Sequence, residues 1–426
     1  MKHFYATVAF SLLAIFGAKS QTPCDQGRYS TELFPNVTTT SNLQFGQNVN
    51  FVGSNTNLLM NVYEPTGDTE TERPLIIWAH GGSFIGGTRN DGDVVALSNA
   101  FAKRGFVCAS IDYRVGMWPV DSVNAVKAVV RAVQDMKAAV RYFYKDKLTS
   151  NTFKIDTTRI IIAGSSAGAI TALHMAYLDK SCEVENYLSP ATLTTLGGIE
   201  GTSGNAGYSS TIHAVVSLAG ALASYGWMET GDVPACSIQG DQDGTVPYNR
   251  GVASVSGFNV IRMDGSRMIE ERAAQVGVPH RLYTHYGADH APYIMGGAYM
   301  DTTIKFVGDF LVDYLGCSLA PVVPENTPTG VATLYPLSYC GLALQEEGLT
   351  EIMVAPNPSY DVMTIRLDEN MHAEAVNVVD FSGRIVAKYN GGTEWILQKS
   401  TVGSGLFLLQ IELDGGQFIS KKIRFN

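Results

Sequence analysis

The amino-acid sequence predicts an α/β protein, with a mostly parallel sheet covered by helices on both faces, followed by a small all-β unit. Three observations predict it. From Asn57 to Leu315, short apolar runs alternate with stretches of helical period, the pattern of a buried parallel sheet. A Pro-rich stretch after Cys317 ends that rhythm. From about Glu351 onward no helical period remains, and short segments alternate apolar and polar residues, as strands with one buried face do.

The elements follow in order. Residues 21–50 are rich in Thr, Asn and Gly and read as an extended lead-in. Leu58 to Tyr63 is strand-like and stops at Pro65, and Pro74 to Ala79 is a continuous apolar strand running into His80-Gly81-Gly82. A helix is expected from Gly92 to Lys103, closed by Gly105, and a strand from Phe106 to Ile111. Asp121 is placed to cap a long helix in which Val126, Val129, Val130, Val133, Met136, Val140 and Phe143 form an apolar stripe. Strands are expected at Arg159–Ala163, His213–Leu218, Ala235–Ile238 and Arg281–Thr284, with helices at Met268–Gln275 and Thr303–Leu315. The Gly-, Ser- and Thr-rich segment from Ser181 to Ser210 interrupts the alternation, and such insertions commonly cover or serve a site. In the last unit, Ser382-Gly383 and Asp414-Gly415-Gly416 are hairpin-turn signals of a β-sandwich.

The start of the chain reads as a secretory signal. Lys2 and His3 precede an apolar run from Phe4 to Phe16, and Ala18-Lys19-Ser20 presents small residues where a signal peptidase reads them. That run is shorter than the roughly 20 residues of a membrane span. The expected organisation is therefore a signal peptide at 1–20, a catalytic domain at 21–318, a linker at 319–350 and a C-terminal β-sandwich at 351–426. The net charge of −10 argues against a nucleic-acid partner, which calls for a basic stripe. Six cysteines follow the signal, and an exported chain can oxidise them. Cys108 and Cys236 lie in apolar strands and read as buried free thiols, whereas Cys317 and Cys340 bracket the Pro-rich stretch and are a candidate pair. No CxxC or HExxH spacing occurs, so neither a metal nor a cofactor is expected.

The chemistry-bearing residues fall at strand ends. Ile160-Ile161-Ile162-Ala163-Gly164-Ser165-Ser166-Ala167-Gly168 is a strand, a G-x-S-x-G and the start of a helix-forming run, the context of a sharp turn that lifts a serine hydroxyl off a sheet. The frame selects Ser166 rather than Ser165. A serine needs a base, and His290 in Gly287-Ala288-Asp289-His290 follows the strand that ends near His285. Asp243, on the loop after the strand ending at Ile238, is the expected orienting acid, with Asp241 as its competitor. His280 and His285 read as structural, and His174 as a packed or surface histidine. Acyl transfer also needs donors to a developing oxyanion. Those expected are the backbone N–H groups of Ala167, Gly82 and Ser83, with Gly81 permitting the bend.

These residues resemble the carboxylesterase and hormone-sensitive-lipase branches of the α/β-hydrolase superfamily. The matching pieces are His80-Gly81-Gly82, Ser110-Ile111-Asp112-Tyr113-Arg114, Gly164-Ser165-Ser166-Ala167-Gly168, Asp243 with Val246-Pro247, and Gly287 to His290. The resemblance implies an α/β-hydrolase fold with an eight-stranded, mostly parallel sheet and ester hydrolysis through an acyl-enzyme. Many relatives carry a third Gly where Ser83 stands. The end of the chain resembles the sorting domain of the type IX secretion system of Bacteroidetes, through Ala355-Pro356-Asn357-Pro358, Asp380-Phe381-Ser382-Gly383-Arg384, Gly405-Leu406-Phe407 and Lys421-Lys422-Ile423. It implies outer-membrane secretion machinery as a partner and removal of the domain after export; an accessory substrate-binding sandwich is the alternative. The leading expectation is a secreted carboxylesterase acting on small or polymer-attached esters. The alternatives are a peptidase of the prolyl-peptidase type, whose usual preceding β domain has no room between Gln21 and Asn57, and a non-catalytic binding relative. Phe84, Tyr225, Trp227 and Met228 are candidate pocket walls.

Overall fold

The computed structural model describes residues 23–335 and 352–426, apart from 318, 369–370, 381–382 and 415. The expected signal peptide and Cys340 lie outside the described residues. The first body is a sheet of eight strands: β1 (Val37–Val49), β2 (Asn55–Pro65), β3 (Arg73–Ala79), β4 (Val107–Ile111), β5 (Ile155–Ser165), β6 (Ala214–Leu218), β8 (Ala235–Gly240) and β11 (His280–His285). Their spatial order is β1-β2-β4-β3-β5-β6-β8-β11. The first two pairings are antiparallel, and every pairing from β4 to β11 is parallel. The carboxyl ends of six neighbouring strands therefore open on one side.

Alternation within single strands builds a core on each face. Leu75 and Ile77 of β3 join one cluster while Ile76 and Trp78 join the other, all without solvent exposure. The first face is covered by α2 (Ser122–Leu148) and α3 (Ala167–Tyr177), and the second by α1 (Gly92–Ala102) and α7 (Gly297–Tyr314). Asp121 caps α2 as expected, accepting from Asn124 N at 2.8 Å. The expected lead-in contains a strand, β1, that pairs along β2 from Val37 to Val49. Its Thr- and Asn-rich sequence is mostly exposed at the sheet edge, so no apolar period marks it.

The remaining elements border the sheet. The interruption after α3 folds into the short helices α4 (Ser181–Glu185) and α5 (Pro190–Leu196). Beside it, β7 (Ala221–Leu222), β9 (Arg250–Val255) and β10 (Phe258–Gly265) form a small antiparallel sheet ahead of α6 (Ser266–Val276). The β9–β10 hairpin turns at Ser256 and Gly257, both with positive φ. The candidate pair Cys317–Cys340 is not formed. Cys317, just past α7, is bonded to Cys24, whose Cα lies 5.8 Å away. The N-terminal turn packs beside the end of α7, and no spacing along the chain reveals that proximity. Cys108 and Cys236 are free and buried.

Residues 319–335, within the expected linker, lie along the first body. Asn326 bridges to Tyr283 of β11 and exchanges backbone hydrogen bonds with Leu282 and Thr284, and Val323 N donates to Asp309 at 2.7 Å. Tyr335 donates its hydroxyl to the buried Asp264, and the Arg250 guanidinium stacks 3.5 Å from its ring centroid. The C-terminal unit is all-β. It consists of a three-stranded sheet of β12 (Met353–Ala355), β13 (Val362–Arg366) and β16 (Glu394–Gln398), and a four-stranded sheet of β14 (Ala373–Val379), β15 (Ile385–Gly392), β17 (Gly405–Leu413) and β18 (Phe418–Phe425). A short helix, α8 (Lys399–Val402), joins the two sheets. Met363, Ile365, Leu397, Val376, Leu409 and Ile423 pack between them with no exposure.

Candidate active site

The strand β5 ends at Ser165 and α3 begins at Ala167, leaving Ser166 alone at the bend with φ 53° and ψ −115°. That conformation is costly for a residue with a Cβ and persists only where its surroundings enforce it. The flanking glycines allow the enforcement. A Cβ on Gly164 would sit 2.1 Å from the Gly168 backbone, and one on Gly168 would sit 2.1 Å from Ala79 O. Strand and helix therefore approach more closely than any other residue permits, and the hydroxyl stands off the sheet.

Two further loops converge on this hydroxyl. Ser166 Oγ lies 2.7 Å from His290 Nε2, and His290 Nδ1 lies 2.8 Å from Asp243 Oδ2. The Asp243 side chain is fully buried. Its Oδ1 accepts from Thr245 N and Val246 N at 2.9 Å each, and its Oδ2 also accepts from Gln239 Nε2 at 3.1 Å. Asp241 does not reach the imidazole. It accepts from Gly287 N at 2.6 Å and so tethers the histidine loop to the acid loop. Asp289 makes the reciprocal tie, accepting from Gly244 N at 2.9 Å and from His290 N at 2.7 Å. Those two N–H groups hold its carboxyl below the usual carboxylate range.

The loop after β3 approaches Ser166 from the other side. A Cβ on Gly81 would stand 3.4 Å from Ser166 Cβ. Gly82, Ser83 and Phe84 all have positive φ, at 109°, 54° and 60°, so the loop bends sharply as it passes Ser166. His80 anchors the loop. Its ring stacks on Tyr113 at 4.3 Å, its Nδ1–H donates to Gly81 O at 2.6 Å, and Tyr113 donates its hydroxyl to His80 O at 2.8 Å. The neighbours of Tyr113 are structural. Asp112 accepts from Arg89 N at 2.8 Å, and Arg114 pairs with the fully buried Asp135 at 2.8 Å.

Beside Ser166 an apolar pocket runs between α2, α3 and the β9–β10 hairpin. Phe84, Met117, Ile170, Trp227 and Met263 line it, and Val184 and Tyr187 close the far end from the inserted segment. Of the candidate walls, Phe84 and Trp227 line the pocket. Tyr225 and Met228 are buried in the packing around α6, Tyr225 donating to Tyr335 O. His174 also borders the pocket. Burial lowers its pKa to about 4, so its ring is neutral, and Nδ1–H donates to Ile170 O at 2.8 Å. His285 is likewise pushed down to about 4 by burial, and neither it nor His280 approaches Ser166 by hydrogen bond.

Two residues of the site were not expected from the sequence. Gln239, the last but one residue of β8, is without exposure and spans the acid loop, donating to Asp243 and to Val246 O and Pro247 O while accepting from Ser266 N. Tyr293 braces the strand side of the bend, its hydroxyl 2.8 Å from Ser165 Oγ and donating to Leu218 O at 3.0 Å. A polar residue at the end of an apolar strand was the available signal for Gln239. Tyr293 carries none beyond its closeness to His290.

Two family models match the chain. Residues 60–256 match the BD-FAE family, and residues 353–425 match the Secretion system C-terminal sorting domain. The chain carries an α/β-hydrolase domain of the BD-FAE family. Curated relatives of the chain include Carboxylesterase 1D of Rattus norvegicus, 28% identical over 158 residues, which make up 36% of this chain and 26% of that one. Another is the Neuroligin-like protein glit-1 of Caenorhabditis elegans, 29% identical over 121 residues, 28% of this chain and 16% of the relative. The chain thus spans about a quarter or less of the length of these relatives. Among solved structures, the apo form of Thermogutta terrifontis esterase 2 is 20% identical with a TM-score of 0.48, covering 69% of this chain and 99% of that one. A truncated carbohydrate esterase from gut microbiota is 19% identical with a TM-score of 0.45, covering 67% and 98%.

Proposed function

We propose that the BD-FAE domain hydrolyses carboxylic esters through an acyl-enzyme, with Ser166 as nucleophile, His290 as base and Asp243 as the acid that orients it. Ser166 Oγ attacks the ester carbonyl while its proton passes to His290 Nε2, and Asp243 holds the Nδ1 proton and stabilises the imidazolium. The carbonyl oxygen becomes an oxyanion facing the N–H groups of Ala167, Gly82 and Ser83. As the tetrahedral centre collapses, the alkoxide leaves with the His290 proton. Water, deprotonated by His290, then releases the acid and restores Ser166. The observation that carries this reading is the 2.7 Å contact between Ser166 Oγ and His290 Nε2, backed by the buried Asp243 at 2.8 Å.

The apolar pocket beside Ser166 supports an apolar acyl group, with the alcohol portion, free or attached to a polymer, left toward the open side. The strap of residues 319–335 supports extending the catalytic unit to Tyr335. The sorting domain addresses the chain to secretion machinery, and the N-terminal segment 1–20 is its cleaved signal for the first membrane. Replacing Ser166 by Ala tests the reaction: kcat on p-nitrophenyl butyrate should fall about 10⁴–10⁶-fold, and labelling by a fluorophosphonate should disappear. Retention of most turnover overturns the assignment.

A further inference from the structure

One wall of the apolar pocket is a two-stranded hairpin with a second occupant on its outer side. Ala253 and Val255 of β9 and Val260, Ile261 and Met263 of β10 face the pocket. The sorting domain grips the same hairpin from outside. Arg262, next to the pocket-lining Ile261, reaches Glu412 of β17 at 2.6 Å and Glu374 of β14 at 3.6 Å. Gln410 Nε2 donates to Asn259 O at 2.9 Å, and Ile261 itself forms an antiparallel bridge with Gln417. Ser122, at the first turn of α2, completes the join. Its hydroxyl donates to Val260 O at 2.6 Å and accepts from Phe418 N, and Phe418 is 1% exposed where β18 meets α2 and β10.

We propose that the β9–β10 hairpin and the first turn of α2 form the docking surface for this chain's own sorting domain, and that the docked domain fixes the outer wall of the acyl pocket and restricts the acyl groups it admits. Within its own body, among the described residues, the hairpin pairs only with β7, at Asp264 and Gly265, so the stretch from Ala253 to Met263 is a two-stranded ribbon, a weakly held element by itself. Here the residues that shape the cavity and those that bind the tail are immediate neighbours on one strand, and Ile261 belongs to both sets, so release of the tail frees the wall. With the domain docked, Val260 and Ile261 are held inward and short acyl groups are favoured; once it is released, the wall gives way to longer ones. The acyl-selectivity half rests on the ester-hydrolase reading, whereas the docking half does not.

The test uses the full chain. Arg262→Glu places a carboxylate opposite Glu412 and Glu374, and reversal of all three charges (Arg262→Glu with Glu374→Lys and Glu412→Arg) restores attraction. Arg262→Glu should raise amide hydrogen exchange across residues 255–263. It should also raise the ratio of kcat/KM for p-nitrophenyl octanoate over acetate by about fivefold or more, and the triple variant should return both readouts to the starting values. Unchanged exchange in Arg262→Glu overturns the docking surface. Raised exchange with an unchanged ratio overturns the control of selectivity. A starting protein that cleaves neither ester, yet shows the exchange response and its reversal, sinks the ester reading and leaves the docking surface standing.

Discussion

At Ser166 a backbone bend, the His290 imidazole and the Asp243 carboxyl meet, but that carboxyl is fixed by a residue that belongs to no recognised motif. Gln239 donates to Asp243 Oδ2 and to two carbonyls of the same loop while its own oxygen accepts from Ser266 N. Its amide thus ties Asp243 and the loop that carries it to the end of β8. Gln239→Leu keeps the volume and removes these bonds. A hydrogen bond to a charged group contributes roughly 1.5–3 kcal/mol, so kcat should fall about 10–100-fold with KM nearly unchanged, as measured on p-nitrophenyl butyrate. An equal rise in KM instead would assign Gln239 to substrate binding. The three residues expected to act together were legible from sequence because each lies in a short local pattern at a strand end: Gly164 to Gly168, Asp243 with Val246-Pro247, and Gly287 to His290. Gln239 was not legible, because a polar residue near a strand end marks a position but does not say which loop folds back over it.

The elements divide by how they are buried. Strands β3, β4, β5, β6 and β8 were legible because both faces are covered and their sequences carry continuous apolar runs, such as Leu75 to Ala79. The edge strand β1 and the β9–β10 hairpin were not. Most of β1 faces solvent, β9 buries only Ala253 and Val255, and β10 is interrupted by the polar Asn259, Arg262 and Asp264. Helix α6 and strand β11 are joined by an ion pair with a pH signature. His280 Nε2 lies 3.4 Å from Glu270, whose hydrogen bond raises the His280 pKa from 6.5 to about 9. A histidine whose folded pKa is raised stabilises the fold fully below its unfolded value and loses that contribution as pH rises through the folded value. His280→Gln should therefore lower Tm at about pH 6 and leave it close to the starting value at about pH 10, as read by calorimetry. A uniform loss at both pH values would assign His280 to packing alone.

For the whole molecule, the tie that matters is Cys24–Cys317, which closes a loop of 293 residues around the entire sheet. In the chain-entropy account, closing a long loop in the unfolded state stabilises the fold by roughly 2–5 kcal/mol. Cys24→Ser should lower Tm accordingly, with kcat unchanged at a temperature well below the transition. The pairing could not be read from sequence, since it depends on the N-terminal turn lying against the end of α7. The strap from 319 to 335 escaped sequence reading for a similar reason: its prolines suggest a tether, while Asn326 and Tyr335 find partners only on the finished surface. The disulfide also bears on survival among foreign proteases. A cut in any exposed loop between the two cysteines severs the backbone but liberates nothing, because both pieces stay fastened through sulfur. A nicked enzyme would then migrate as one species on a gel and separate into two only when a reductant is added.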